Sequence, residues 1–424
     1  MKKLTFLFSA FAALSMAGSA SAQTVINITG ATAFREAAHQ AIIDSLANLT
    51  YGYAGTNVSN AATAIFKGTI NGGADQVIVR TAWSGAVAGI RAIVNQANAV
   101  TYYATSGSNI SLLLAAPGRA SYTGTTESTL LNSIAFSDCT QDNTPFGAVS
   151  LLGGPVGVIV FCPTVNSTTS LAEGDNITTL QMRRIMQAGS APLQFITGKA
   201  ADANTTVYWT GRADTSGTRA IYLSEMGVGA SNPVNQWRIE PLNNTTGIAA
   251  TAIQLWPTGD TTNASTIWGP DTAGNGGYSS GGVLSYALRR TSASVNIKNA
   301  AGSVIASAKS IVLLTSISAQ DANDIQTGGG KVLAYNNSFV NPLDAPTGFS
   351  TADKDKIIKG QYSLWSYEQL YYRDDIVDQP TLDFIALLET EVPNNIAGNG
   401  IPIPNMRVSR SSDGGSLTPL PSLL

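Results

Sequence analysis

The densest group of reactive side chains in the chain is Arg212-Ala213-Asp214-Thr215-Ser216-Gly217-Thr218-Arg219, inside Val207–Gly227. Such a run suits the capture of an oxyanion. A guanidinium makes paired, charge-assisted bonds to anionic oxygens. Hydroxyls and a glycine N–H at the start of a helix can wrap the remaining oxygens. An aspartate repels an anion unless that anion carries a proton, because an ionised carboxylate accepts a hydrogen bond and cannot donate one. Asp214 therefore either selects a protonated anion over a fully ionised one, or holds Arg212 in place. Asp138, at the end of the apolar run "NSIAFSD", is a second candidate for the same discrimination.

Such residues need elements that bring them to one place. "VINIT" (Val25 to Thr29) alternates like a strand, followed by a Gly-containing turn and the helical period of "FREAAHQAIIDSLANL". The unit recurs as a strand Gln76 to Arg80, a turn at Trp83-Ser84-Gly85 and a helix from about Val87. It recurs again at Val207–Gly227. "VGVIVFCPTV" reads as a strand buried on both faces, and "TTLQMRRIMQAG" as a helix stopped by Gly189. Strands alternating with helices imply an α/β protein with mostly parallel sheets. Thr101–Thr129 and Asn235–Gly276 read as long polar loops, and the end of the chain as a surface tail or edge strand.

Thr32, Ser84 and Ser216 all fall where a strand hands over to a helix. A hydroxyl there can cap the helix or meet an anion beside the positive end of the helix dipole. Ligands of open α/β sheets bind at that edge. Tyr278-Ser279-Ser280-Gly281-Gly282 is a further turn that can face the same cleft.

The bulk properties narrow the class of protein. The chain has 424 residues, suited to two lobes, and a net charge of -3 that argues against nucleic acid. Only 12% of residues are charged, about half the usual ~25%. The start, "MKKLTFLFSAFAALSMAGSASAQ", has the basic region, short apolar core and Ala-Ser-Ala site of a secretory signal over residues 1–22. No cysteine stands directly after the cleavage site, and no apolar run of ~20 residues follows, so a periplasmic or secreted protein without stable membrane insertion is expected. Cys139 and Cys162 are expected to pair in such a compartment, with two buried thiols as the alternative. The lone His39 sits on a helix and leaves no base for a triad and no metal set. Neither a cofactor nor an enzyme activity is expected.

"GRADTSGTRAIYL" resembles the Arg-Ser-Asp-x-Ser-Gly-Thr motif of the periplasmic phosphate-binding proteins of ABC transporters. "ITGATAFREAAHQAI" resembles that family's Gly-Ala-Thr-Phe motif, with Ala33 inserted and Arg35 in place of proline. "WSGAVAGIRAIV", "IAFSDCTQD", "NITTLQMRRIMQAG" and "KIIKGQYSLWSYEQLYY" resemble later family segments, in the family's order, the last with Ser363 where proline is usual. The resemblance implies a two-lobed type II periplasmic binding protein fold, each lobe a mostly parallel sheet flanked by helices, joined by crossover strands. It implies lobe one at 23–157 plus 330–424 and lobe two at 158–329, with Val158–Val165 a crossover. It implies a phosphate site of Thr32, Phe34, Ser84 and Asp138 from lobe one and Arg212, Asp214, Ser216, Gly217 and Thr218 from lobe two. A monomer serving an ABC permease is the implied setting. Another oxyanion as ligand, or a surface, matrix or sensor role on the same fold, is the alternative.

Overall fold

The structure, a computed structural model, describes residues 23–421 apart from 96, 107, 169, 243–248, 261–266, 269, 291–293, 344–347 and 397–399. The signal segment 1–22 lies outside the described residues, as does part of the polar stretch 235–276.

The first lobe starts with β1 (Thr24–Gly30), α1 (Arg35–Ser45), β2 (Ala47–Tyr53), β3 (Thr63–Ile70), β4 (Asp75–Ala82), α2 (Ala86–Val94) and β5 (Ile134–Ser137). The long strand β6 (Leu151–Val165) then leads to α3 (Thr179–Ala188), β7 (Thr206–Trp209) and α4 (Gly217–Glu225). The second lobe continues with β8 (Trp237–Glu240), β9 (Ala252–Leu255), α5 (Gly281–Arg289), β10 (Ser294–Lys298), β11 (Val304–Ser318) and α6 (Ala319–Thr327). The chain returns through β12 (Trp365–Arg373) and α7 (Gln379–Asn394).

The arrangement is α/β with two lobes. β1 lies parallel between β4 and β5, with β3 and β2 added antiparallel at one edge and β12 at the other. In the second lobe β7 runs parallel to β11, and β9 parallel to β10. β6 serves both lobes. Its first ten residues pair with β12 and its last five with β11. Ile26, Ile28, Val158, Val160, Leu313 and Leu314 are fully buried, as their two-sided apolar runs require.

Three expectations change. The stretch 101–129 is anchored rather than a free loop. Val100–Tyr103 and Thr126–Thr129 pair antiparallel, and buried Arg80 of β4 holds them through Tyr103 O at 3.0 Å and an ion pair with Glu127. β8 and β9 lie within 235–276, where long loops or insertions were expected. Cys139 and Cys162 are both free and buried, one just beyond β5 and the other opposite Ile317 on β11. Burial pushes the Cys162 thiol up to about 12 and the Cys139 thiol well above its usual range, so both behave as small apolar groups.

His39 is a core residue. Its Nδ1 is 2.7 Å from Val58 O, while Nε2 accepts from Trp83 Nε1 at 3.1 Å and lies 2.8 Å from Thr81 Oγ1. Burial lowers it to about 4, so it is neutral and pins the turn that carries Ser84.

Candidate functional site

The turns singled out by sequence meet between the lobes. The first turn of α2 bonds the turn before α4, and the residues around the starts of α1, α5 and α6 line one cavity. Helix capping accounts for Ser280, which accepts from Val283 N, but not for Thr32, Ser84 or Ser216. α1 starts from Phe34 and α2 from Gly85, and neither α1, α2 nor α4 has a side-chain cap bond, although Ser216 stands at the cap position of α4.

Arg212 is the centre of the site. It follows β7 and is 2% exposed. Its Nε donates to Tyr278 O at 3.1 Å and its Nη2 to Ser279 O at 3.0 Å. Nη2 also reaches Thr32 Oγ1 of the other lobe at 3.5 Å, the outer limit for such a bond. The Tyr278–Gly282 turn thus orients the guanidinium. Burial lowers its proton affinity, and the charges of Asp321 and Asp138 restore part of it. Arg219, the other arginine of the motif, has a scaffolding role. It donates to Asn275 O at 2.8 Å and Arg212 O at 3.4 Å, and packs the motif onto lobe two.

Asp138 sits at the meeting of the lobes, 3% exposed. Thr218 Oγ1 donates to its Oδ2 at 3.0 Å across the interface. Burial raises the carboxyl to about 6, against the pull of Arg212 and the Thr218 bond. Asp214 lies on the lobe-two side. Its charge acts on Arg219, and its carbonyl accepts from Trp268 Nε1 at 3.1 Å. Ser84 is exposed and donates to Thr29 Oγ1 at 2.9 Å, since the Thr29 hydroxyl is itself directed to Ala82 O at 2.7 Å. Phe34 packs into the lobe-one core beside Phe136.

The lobes are in direct contact here. The first N–H groups of α2, Val87 and Ala88, donate to Thr215 O at 3.0 and 3.3 Å. Gly85, with φ of +99°, makes this approach possible, for a Cβ there would lie 2.6 Å from the same carbonyl. A Cβ on Gly217 would lie 2.0 Å from Asp138 Oδ1. Beside this contact a cavity of about 230 Å³ opens between Thr32, Arg35, Val158, Ser280, Asp321 and Ile396. Arg35, on the first turn of α1, brings a second cation to it. The charges of Asp321 and Arg212 act on Arg35 in opposite senses.

Sequence reasoning missed three groups. Asp321 of α6 accepts from Ser318 Oγ at 2.6 Å and faces Arg212 and Arg35, with its carboxyl raised by burial. The Ser-x-x-Asp spacing at 318–321 marked a helix start but no role in the cleft. Glu368 is buried in β12, where nothing in an alternating strand signalled it. Asp413 lies in the end segment expected to be a surface tail or edge strand, where Val408–Ser409 pairs with Thr418–Pro419. Its Oδ2 accepts from Thr140 N at 2.8 Å, Thr140 Oγ1 at 3.0 Å and Asn143 Nδ2 at 3.0 Å, and its Oδ1 from Ser366 Oγ at 2.9 Å. Nearby Arg410 pairs with Glu225 of α4 and stacks 4.2 Å from the Trp365 ring centre. The segment therefore straps α4 to the loop after β5. Because bonds to a charged acceptor carry about 1.5–3 kcal/mol each at most, Asp413→Ala is expected to lower the thermal midpoint by several degrees, read by calorimetric unfolding.

No protein-family model matches the chain, and no curated protein matches it significantly. Among solved structures it is similar to an ABC-type phosphate transport receptor from Vibrio cholerae, at 14% identity, 88% of this chain and 97% of the other, and a TM-score of 0.43. It is similar to PstS from Borrelia burgdorferi at 10% identity, covering 89% and 99% of the two chains, with a TM-score of 0.36. A periplasmic phosphate-binding protein solved with phosphate at pH 8.5 shares 13% identity over 90% of this chain and 91% of that one, with a TM-score of 0.41.

Proposed function

We propose that the protein is an exported, non-enzymatic binding protein that takes phosphate or a closely related oxyanion into the cleft between its lobes. The observation that carries this reading is Arg212, a 2% exposed cation fixed by two carbonyls, directed across the cleft to Thr32 and balanced by Asp138. A buried guanidinium with this environment suits a dehydrated anion better than a cation or an apolar ligand. Asp138, raised to about 6, can accept a proton-bearing ligand oxygen above that pH. In the proposed cycle the lobes part at β6 and β12, admit the anion and close on it. Delivery to an ABC permease follows from the same reading.

A second reading has its own support. The α2 N–H groups are taken by Thr215 O, and the end segment straps the lobes together. A cleft sealed by its own groups suits a surface, matrix or sensor role.

Calorimetric titration with phosphate, sulfate, arsenate and molybdate at two pH values tests both. Saturable binding of phosphate and arsenate, with sulfate much weaker, is expected. Binding of none of the four would refute the oxyanion reading and leave the second.

A further inference from the structure

Glu368 is 0% exposed, and neither of its carboxyl oxygens has a hydrogen-bond partner among the described residues. It sits in β12, at a register shift where Glu368 opposes Gly157 of β6 and Gln369 opposes Pro155. On its other side β12 pairs antiparallel with β5, Gln369 opposite Ser137 and Leu370 opposite Phe136. One further step of that register brings Glu368 opposite Asp138. Side chains directly opposite in antiparallel strands share a face, with Cβ atoms about 4.5–5.5 Å apart. Asp138 Oδ1 is also buried without a hydrogen-bond partner.

Two ionised carboxylates facing each other in a dry site repel, and although Thr218 donates to Asp138 Oδ2, Asp138 Oδ1 and both Glu368 oxygens lack a donor. One proton held between them removes the repulsion and supplies the missing bond. The groups facing the pair set where that proton is lost. Arg212 and Thr218 from lobe two favour ionised Asp138, Asp413 from the end segment opposes it, and the Cys139 thiol beside it is neutral. Burial and the Asp138 charge hold Glu368 well above the usual carboxylate range.

We propose that Asp138 and Glu368 form a carboxyl pair sharing one proton, which makes Glu368 a specificity-determining residue of the cleft. The inference rests on the oxyanion reading and deepens it. With one proton the pair carries a single negative charge, and Asp138 can accept from a protonated anion. Loss of that shared proton sets two charges against the ligand and weakens binding. Glu368 touches no ligand and acts through Asp138.

Glu368→Gln keeps the shape and a donor but cannot ionise. Inorganic phosphate is titrated calorimetrically into wild type and this variant at about pH 6.5 and about pH 9.5, where a coupling of one pK unit is a tenfold change. The ratio of the two dissociation constants cancels the ionisation of phosphate itself. It is expected to be near one at the lower pH, with wild type about tenfold weaker at the higher. A ratio independent of pH overturns the proposal while leaving the phosphate reading intact.

If wild type takes no phosphate, that reading falls and thermal unfolding still decides on the pair. A carboxyl whose proton is held more tightly in the fold than in the unfolded chain costs stability as pH rises above the unfolded value. Glu368→Gln should therefore gain in midpoint over wild type between about pH 4 and about pH 8. An unchanged difference overturns the pair. Should the variant misfold, the infrared band of a protonated carboxyl in wild type near neutral pH replaces it, and its absence is equally decisive.

Discussion

Arg212→Ala is expected to abolish measurable oxyanion binding. Removing one partner of a buried, hydrogen-bonded charge pair costs about 2–5 kcal/mol, and about 1.4 kcal/mol is tenfold in affinity. The loss is then roughly 30-fold to several-thousand-fold by calorimetry. Arg212→Lys should recover little. A lysine carries one charged nitrogen, whereas Arg212 uses Nε and Nη2 at once to grip Tyr278 O and Ser279 O. The alanine variant also has a consequence for Asp138. Arg212 pulls that carboxyl down from the height burial alone would set. Without the guanidinium its titration, followed by carboxyl NMR, should move above about 6. Unchanged affinity in Arg212→Ala would place the ligand elsewhere, and the cavity beside Arg35 and Asp321 is then the site to test.

Gly217→Ala is expected to keep the lobes apart. The added Cβ would meet Asp138 Oδ1 at 2.0 Å and Ala86 Cβ at 2.7 Å, both from the opposite lobe. The carboxylate can turn aside, but Ala86 is fixed at the start of α2. Overpacking of this kind costs about 1–3 kcal/mol, or roughly 5- to 150-fold in any affinity that depends on closure. The same change should favour α4, since alanine exceeds glycine in helix propensity by about 1 kcal/mol. Small-angle scattering should therefore show a larger radius of gyration while circular dichroism shows no loss of helix. Loss of helix together with loss of affinity would point to misfolding instead and sink the closure argument.

How much of this was legible in the chain differs from residue to residue. Arg212 through Thr218 stand at a strand-to-helix turn, as the apolar run Val207–Trp209 and the helical period after Gly217 dictate locally. The same holds for Thr32 and Ser84. Such turns are written in spacing, because strand and helix periods and the small residues between them are short-range properties. The Tyr278–Gly282 turn was visible as a run of glycine and serine, but its carbonyls gained a role only beside Arg212.

Other groups depend on long-range register. Asp214 read as a selector of a protonated anion or as a partner for Arg212, and the fold also brings its charge to bear on Arg219. Asp321 and Asp413 enter the site from 109 and 201 residues beyond Arg212, through helix placement and a strap that no local pattern encodes. The antiparallel register of β12 on β5, Gln369 opposite Ser137, sets the face that Glu368 occupies, and a slip of one residue would turn it to the other.

The amino-acid sequence by itself determined the strand-turn-helix units, the α/β organisation and the arginine and hydroxyl turns on which the proposed oxyanion chemistry rests. The tertiary structure alone decided which carboxylates face the cleft, that the cysteines stay apart, and that Thr215 O takes the α2 N–H groups. Local propensity acts over a few residues, whereas burial, charge pairing and strand register are settled only when distant segments pack.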